Sequence, residues 1–208
     1  MLWKNKNEFT FEGKEYEAED TVTKCLEESR RWTEVVAAAK VETGARNQRP
    51  RDGKAWTVPE NGRVKCNIGI SWSKATCMVG LGWIVRNSEG DTMLHSRRDF
   101  NGVSSLLEAR RLGLIWAAES MNSHKLQKVS FELEDYELVG SVNRPKAWPA
   151  FQLAEWKVSS VKRVANKAAF MIARSVTKER RYQSYVAQGS PSWLRSLLAE
   201  EDMRSIML

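Results

Sequence analysis

The stretch VKCNIGISWSKATCMVGLGWIVRNSEG, from Val64 to Gly90, constrains the fold more than any other part of the chain. Two strand-like runs, Val64–Ser71 and Cys77–Arg86, flank a short polar turn at Ser73–Ala75, and this pattern predicts a β-hairpin. A second turn at Asn87–Asp91 leads into a third strand over Thr92–Arg98. In the second strand Met78, Gly80, Gly82 and Ile84 share one face, while Val79, Leu81, Trp83 and Val85 share the other. Glycines on one face permit a bend or the close approach of another backbone.

Beyond the hairpin the period changes repeatedly. Ser105 precedes Leu106, Ala109, Gly113, Trp116 and Ala117, a helical stripe. Val129, Phe131 and Leu133 alternate with polar residues as a strand does, and Leu138, Val139 and Val142 return to helical spacing. Pro145 and Pro149 interrupt the chain before Phe151–Trp156, and Val158–Val164 reads as the last strand. Ala165, Ala168, Ala169, Ile172, Ala173 and Val176 then mark the clearest amphipathic helix. The order strand–strand–strand–helix–strand–helix–strand–helix argues an α/β domain with a mixed sheet.

Upstream, Trp3, Phe9, Phe11 and Tyr16 suggest a short strand or arm. Asp20 is a suitable N-cap for a helix carrying Val22, Cys25, Leu26, Trp32 and Val36, ending near Ala39. Its apolar stripe is narrow, so this helix must dock or fray. Residues 41–54, with Gly44, Pro50 and Gly53, read as a linker. The expected organisation is an arm and helix over 1–40, the linker over 41–54, the α/β domain over 55–193, and a C-terminal tail over 194–208.

Charge is unevenly distributed along the chain. Residues 1–60 are near neutral while residues 61–208 carry a surplus of eight basic residues, and Lys157–Arg181 alone holds eight basic residues against Glu179. Such a segment is either an electrostatic footprint for phosphates or a solvated helix face. No apolar run approaches the ~20 residues that span a bilayer. The N-terminus lacks the apolar core of a secretory signal, so an intracellular location is expected, with nucleus and cytoplasm both open. Cys25, Cys66 and Cys77 lack CxxC spacing and read as reduced thiols, and His95 and His124 are too few for a Cys/His zinc site.

Five segments in this order, WTVPENGRVKCNIGIS, GLGWIVRNSEG, SSLLEARRLGLIWA, VSFELEDYELV and KRVANKAAFMIA, carry a resemblance. They resemble the ribonuclease H-like domain of plant non-LTR retrotransposon reading frames, which is associated with reverse transcriptase. The resemblance covers roughly residues 55 to 193 and implies a mixed five-stranded sheet flanked by helices. The N-terminal LWKNKNEFTFEGKEYEAEDTV looks like the segment between the reverse transcriptase and ribonuclease H parts of such elements.

Active members of that family hold two Mg2+ ions with four carboxylates, and the metals activate water for phosphodiester hydrolysis. In this chain the matching positions read differently. The first-strand acid that follows Lys-Cys-Asn and an apolar residue is Gly69. The second acid of the helix motif Leu-Glu-Ala-Glu is Arg110. The fourth-strand acid is retained as Glu134, and the last-helix acid is Phe170. A fixed positive charge about 4 Å from a divalent ion opposes its binding by several kcal/mol even at an effective dielectric of roughly 20. Glu108 faces elsewhere on its helix, and Asp135 reaches the site only if the strand has already ended. Arg110 either pairs with Glu134 or extends to solvent.

The resemblance therefore implies a retrotransposon-derived nucleic-acid-binding domain without catalysis and with no bound metal or other cofactor expected. Lys157, Lys162, Arg163, Asn166, Lys167 and Arg174 are the candidate nucleic-acid contacts, for an RNA–DNA hybrid or a duplex. Trp72 and Trp83 lie near the expected substrate face, with buried packing the main role of Trp83. The alternatives are an active hybrid endoribonuclease, a protein-interaction module using the tryptophans and the 20–39 helix, and a decayed element copy.

Overall fold

The computed structural model describes residues 55–143 and 155–206. The expected arm and helix over 1–40, the linker over 41–54 and the proline-interrupted stretch at 145–151 lie outside the described residues. The elements are β1 (Val64–Ser73), β2 (Met78–Arg86), β3 (Thr92–Phe100), α1 (Leu106–Ser123), β4 (Lys128–Leu133) and α2 (Tyr136–Val142). They continue as β5 (Glu155–Ser160), α3 (Lys167–Glu179), β6 (Tyr185–Gln188) and α4 (Arg195–Ile206).

All six strands form one sheet in the order β5-β4-β1-β2-β3-β6. The β1–β2, β2–β3 and β3–β6 pairs are antiparallel, whereas β4 runs parallel to both β1 and β5. This is the ribonuclease H-like mixed sheet flanked by helices, with one strand beyond the five expected. The extra strand, β6, has four residues and sits at the edge, too short for a period-two pattern to register. The last expected strand, 158–164, is displaced to 155–160. β4 stops at Leu133, so pairing ends with Leu133 opposite Ser160, and the chain turns into a 3₁₀ segment at Arg163–Ala165.

One face of the sheet carries Cys66, Ile68, Trp83, Val85, Val129, Phe131 and Leu133, packed against Leu114, Ala117 and Met121 of α1 and Leu138 and Val142 of α2. Ser105 starts α1 by accepting the Glu108 N–H, while Glu108 turns back to accept from the Ser104 N–H at 2.8 Å. Trp83 is fully buried against Trp116. Trp72 also belongs to this layer: its indole N–H donates to the Val103 carbonyl at 2.9 Å, and its ring packs beside Leu81 and Val79.

The other face is closed by α3, and here β1 and β2 present Gly69, Gly80 and Gly82. A Cβ on Gly69 would fall within the Ala169 carbonyl and 2.5 Å from the Phe170 nitrogen. One on Gly80 would lie 2.6 Å from Val176 Cβ, and one on Gly82 would lie 2.7 Å from the Ala173 nitrogen. The helix thus rests on the strand backbone itself, with Ala169, Ile172, Ala173 and Val176 buried.

Within the stretch expected as a tail over 194–208, Arg195–Ile206 instead form α4, which packs on the domain. Leu194 and Leu198 pack with Ile84, Ala168, Ala169 and Ile172. One further turn along, Glu201 accepts from Arg86 NH1 at 2.6 Å, with both side chains buried. Because Glu201 continues the spacing as a charge, the stripe is thin in sequence. The Arg86 guanidinium lies 3.5 Å from the centroid of fully buried Trp56, and its NH2 donates to Asn67 Oδ1 at 3.2 Å. The same oxygen accepts from Trp56 Nε1 at 2.9 Å, while the Asn67 amide donates to Glu132, which also pairs with Lys65. Burial pushes the Glu201 carboxyl up and the Arg86 guanidinium down, each opposed by the partner's charge.

Removing one partner strands a buried charge, so Glu201→Ala is expected to cost about 3–5 kcal/mol in urea denaturation. A second expectation concerns His95, whose Nδ1 lies 2.8 Å from the Gly189 carbonyl and whose ring meets Tyr185 edge-on. Burial holds its pKa below the ordinary 6.5. The unfolded chain therefore takes up the proton first, and stability present above pH 6.5 falls as the pH drops from there toward the depressed folded value. Thermal unfolding across this window reports the slope, which His95→Gln should reduce.

Candidate functional site

Of the four family positions, Gly69, Glu134 and Phe170 come together where β4 has ended and α3 begins, while Arg110 on α1 faces Asp135. Gly69 stands opposite Gly82 beneath the α3 backbone. Asn166, buried at the start of α3, donates through Nδ2 to the Ile68 carbonyl at 2.8 Å and sits 3.5 Å from Glu134 Oε1. It therefore ties the helix both to β1 and to the residue just past β4. Arg163 Nε donates to Glu134 Oε2 at 2.5 Å, and its guanidinium lies 3.5 Å from the centre of the Phe170 ring. Residue 170 thus supplies a stacking surface for a cation where an acid stands in active relatives.

Arg110 does not pair with Glu134. Its NH1 lies 3.3 Å from Asp135 Oδ2, a carboxylate only 3% exposed. The strand has ended at Leu133, so Glu134 and Asp135 are no longer held to opposite faces of a pleat. Asp135 becomes the N-cap of α2, accepting from the Leu138 N–H at 2.9 Å through one oxygen and facing Arg110 with the other. Sequence reasoning missed this role, although an Asp three residues before an apolar helical run is a capping signal. The two adjacent acids each hold a different arginine.

The basic candidates divide into two groups. Lys162, Arg163 and Lys167 are exposed around the start of α3, and Arg174 is exposed two turns further along the same helix face. Lys157 belongs instead to β5, opposite Ser130, and pairs with Glu60 at 3.0 Å. Asn166 is 1% exposed, so it positions the site rather than meeting a ligand directly.

The donor set does not fit two Mg2+ ions. Position 69 has no side chain, position 170 has a hydrocarbon ring, and position 110 is a cation. The Glu134 carboxylate is occupied by Arg163. Among the described residues no cluster of three or more His, Cys, Asp or Glu is placed to hold a metal. The arrangement is suited to anions: exposed guanidinium and ammonium groups converge on a helix N-terminus without an acid in its first turn.

Residues 68–176, just over half of the chain, match the family described as reverse transcriptase-like, and the chain belongs to that family. Two solved structures are similar. RNase H1 from the halophilic archaeon Halobacterium salinarum NRC-1 is 14% identical with a TM-score of 0.46, covering 57% of this chain and 99% of that one. The N-terminal RNase H domain of rv2228c from Mycobacterium tuberculosis, solved as a fusion with maltose-binding protein, is 15% identical with a TM-score of 0.48, covering 56% and 94%. No curated protein matches the chain. No helix among the described residues is long and apolar enough to cross a membrane.

Gly69→Asp places an acid where the resemblance expects one. Its Cβ collides with backbone at Ala169 and Phe170 rather than with a pliable side chain. The expected result is destabilisation of at least about 1–3 kcal/mol, the range for overpacking, with no gain of Mg2+ binding. Thermal unfolding and Mg2+ calorimetry on the variant check both parts.

Proposed function

We propose that this protein is a nucleic-acid-binding member of its family that lacks two-metal catalysis, derived from a plant non-LTR retrotransposon reading frame. The observation that carries the proposal is Arg163: its guanidinium meets both the Glu134 carboxylate and the Phe170 ring, two of the positions where the resemblance expects metal-binding acids. A cation there opposes a divalent metal and favours a phosphate. Membership of the reverse transcriptase-like family supports a nucleic-acid ligand, and the five segments quoted above support the retrotransposon origin.

In this reading Lys162, Arg163, Lys167 and Arg174 contact backbone phosphates of an RNA–DNA hybrid or duplex, so binding is strongly salt-dependent and weakly selective for sequence. Lys157 plays the smaller part, being already paired. Glu134 acts as an internal stand-in for phosphate, holding Arg163 until a ligand takes it. The competing reading, an active hybrid endoribonuclease, draws on Glu134 alone.

Charge reversal at Lys162 and Arg163 is expected to weaken hybrid binding and to lower the slope of log K against log salt by roughly 1–2. Glu134→Gln is expected to tighten binding roughly two- to fivefold, the worth of a partly exposed ion pair. Fluorescence anisotropy over a salt series measures both. Mg2+-dependent hybrid cleavage that vanishes in Glu134→Gln would establish the endoribonuclease instead, and absence of binding to any nucleic acid at low salt would remove the proposal.

A further inference from the structure

A second group of cations lies at the opposite end of α3, where the chain leaves the helix and returns to the sheet edge. Arg97 of β3 lies 4.9 Å from the centre of the Tyr185 ring, and its Nε donates to the Gln183 carbonyl at 3.2 Å. Arg181 lies 5.4 Å from the centre of the Trp193 ring. Two guanidinium–ring pairs, Arg97 with Tyr185 and Arg181 with Trp193, therefore lie along the segment that leads from α3 through β6 to α4. In that segment Tyr182 and Val186 are 46% and 49% exposed.

Among the described residues Arg97 has no carboxylate partner, and Arg181 has only the exposed Glu179 at 2.9 Å. Pairs of that kind contribute little to stability. A guanidinium stacked on a ring presents a flat cationic surface, and together with the exposed Tyr182 ring such surfaces match the faces of nucleobases.

We propose that this cluster is a second nucleic-acid contact, one that receives unpaired bases of a single-stranded extension. The proposal rests on the nucleic-acid reading of the first site and adds the form of the ligand. The two ends of α3 differ in a way that assigns the roles. The N-terminal end carries the positive end of the helix dipole and attracts phosphates, whereas the C-terminal end carries the negative end and favours them less. Bases, which are uncharged, meet no such penalty over the arginine and aromatic surfaces. Lys167, Arg174 and Lys178 are exposed between the two ends, on a helix that rises about 16 Å over those eleven residues. A backbone tracking this stripe leads from one site to the other.

The test compares a blunt RNA–DNA hybrid with the same hybrid carrying a single-stranded extension of several nucleotides, by anisotropy with the full chain. The expected result is a preference for the extended hybrid of roughly tenfold, as stacking of one or two bases supplies. Arg97→Gln with Arg181→Gln should erase that preference while leaving affinity for the blunt hybrid within about twofold, which also shows that the variant is folded. Equal binding of both hybrids by the unmodified protein overturns the proposal, as does an equal loss on both hybrids in the variant or an undiminished preference. Those outcomes leave the first site standing. Failure to bind either hybrid at low salt removes the nucleic-acid reading itself, and with it this extension of it.

Discussion

The close docking of α3 on β1 and β2 is the constraint on which the rest of the domain depends. Three missing Cβ atoms, at Gly69, Gly80 and Gly82, let a helix whose inner side is largely alanine settle onto the strand backbone. At this separation Asn166 can donate to the Ile68 carbonyl, and Phe170 is brought beside Arg163. A larger residue at any of the three positions moves the helix outward, and interiors packed to near-crystalline density do not absorb such a shift cheaply. Gly69, the position where the resemblance expects an acid, is thus part of the packing surface that receives α3.

Electrostatics divides along the same helix-covered face. Around Arg86 the charges are buried and mutually satisfied, with Glu201, Asn67, Glu132 and Lys65 joined in one network. Such charges serve the fold, because an unpaired member would be too costly to keep away from water. At the start of α3 the cations are exposed, and the Arg163–Glu134 contact is partly open to solvent. Exposed pairs contribute little to stability, which leaves their cations available to a ligand. The distinction between the two arginine environments is what separates a structural ion pair from the proposed binding group here.

Much of this was legible in the sequence. The hairpin, α1 and α3 were visible because their apolar residues follow one period over many positions, and the substitutions at 69, 110 and 170 were visible against the family motifs. Other features were hidden for physical reasons. β6 is four residues at an edge, and its identity as a strand comes from pairing with β3 rather than from its own pattern. The position of β5 is set by the length of β4. α4 was concealed because Glu201, one of the residues on its buried side, is a carboxylate whose burial makes sense only once Arg86 is known to lie opposite.

The amino-acid sequence by itself determined the class of fold, the central hairpin, the density of basic residues in Lys157–Arg181, and the residue types at positions 69, 110 and 170, since each is a property of local pattern or residue identity. Tertiary structure alone decided which partners those residues meet. Whether Arg110 faces Glu134 or Asp135 depends on where β4 stops, and whether Arg163 reaches Glu134 depends on how α3 enters over the glycines. Arg97 meets the Tyr185 ring because β6 folds back beside β3. Pairings of this kind join residues tens of positions apart, and no periodicity in the chain encodes a contact that only the closed sheet and its docked helix create.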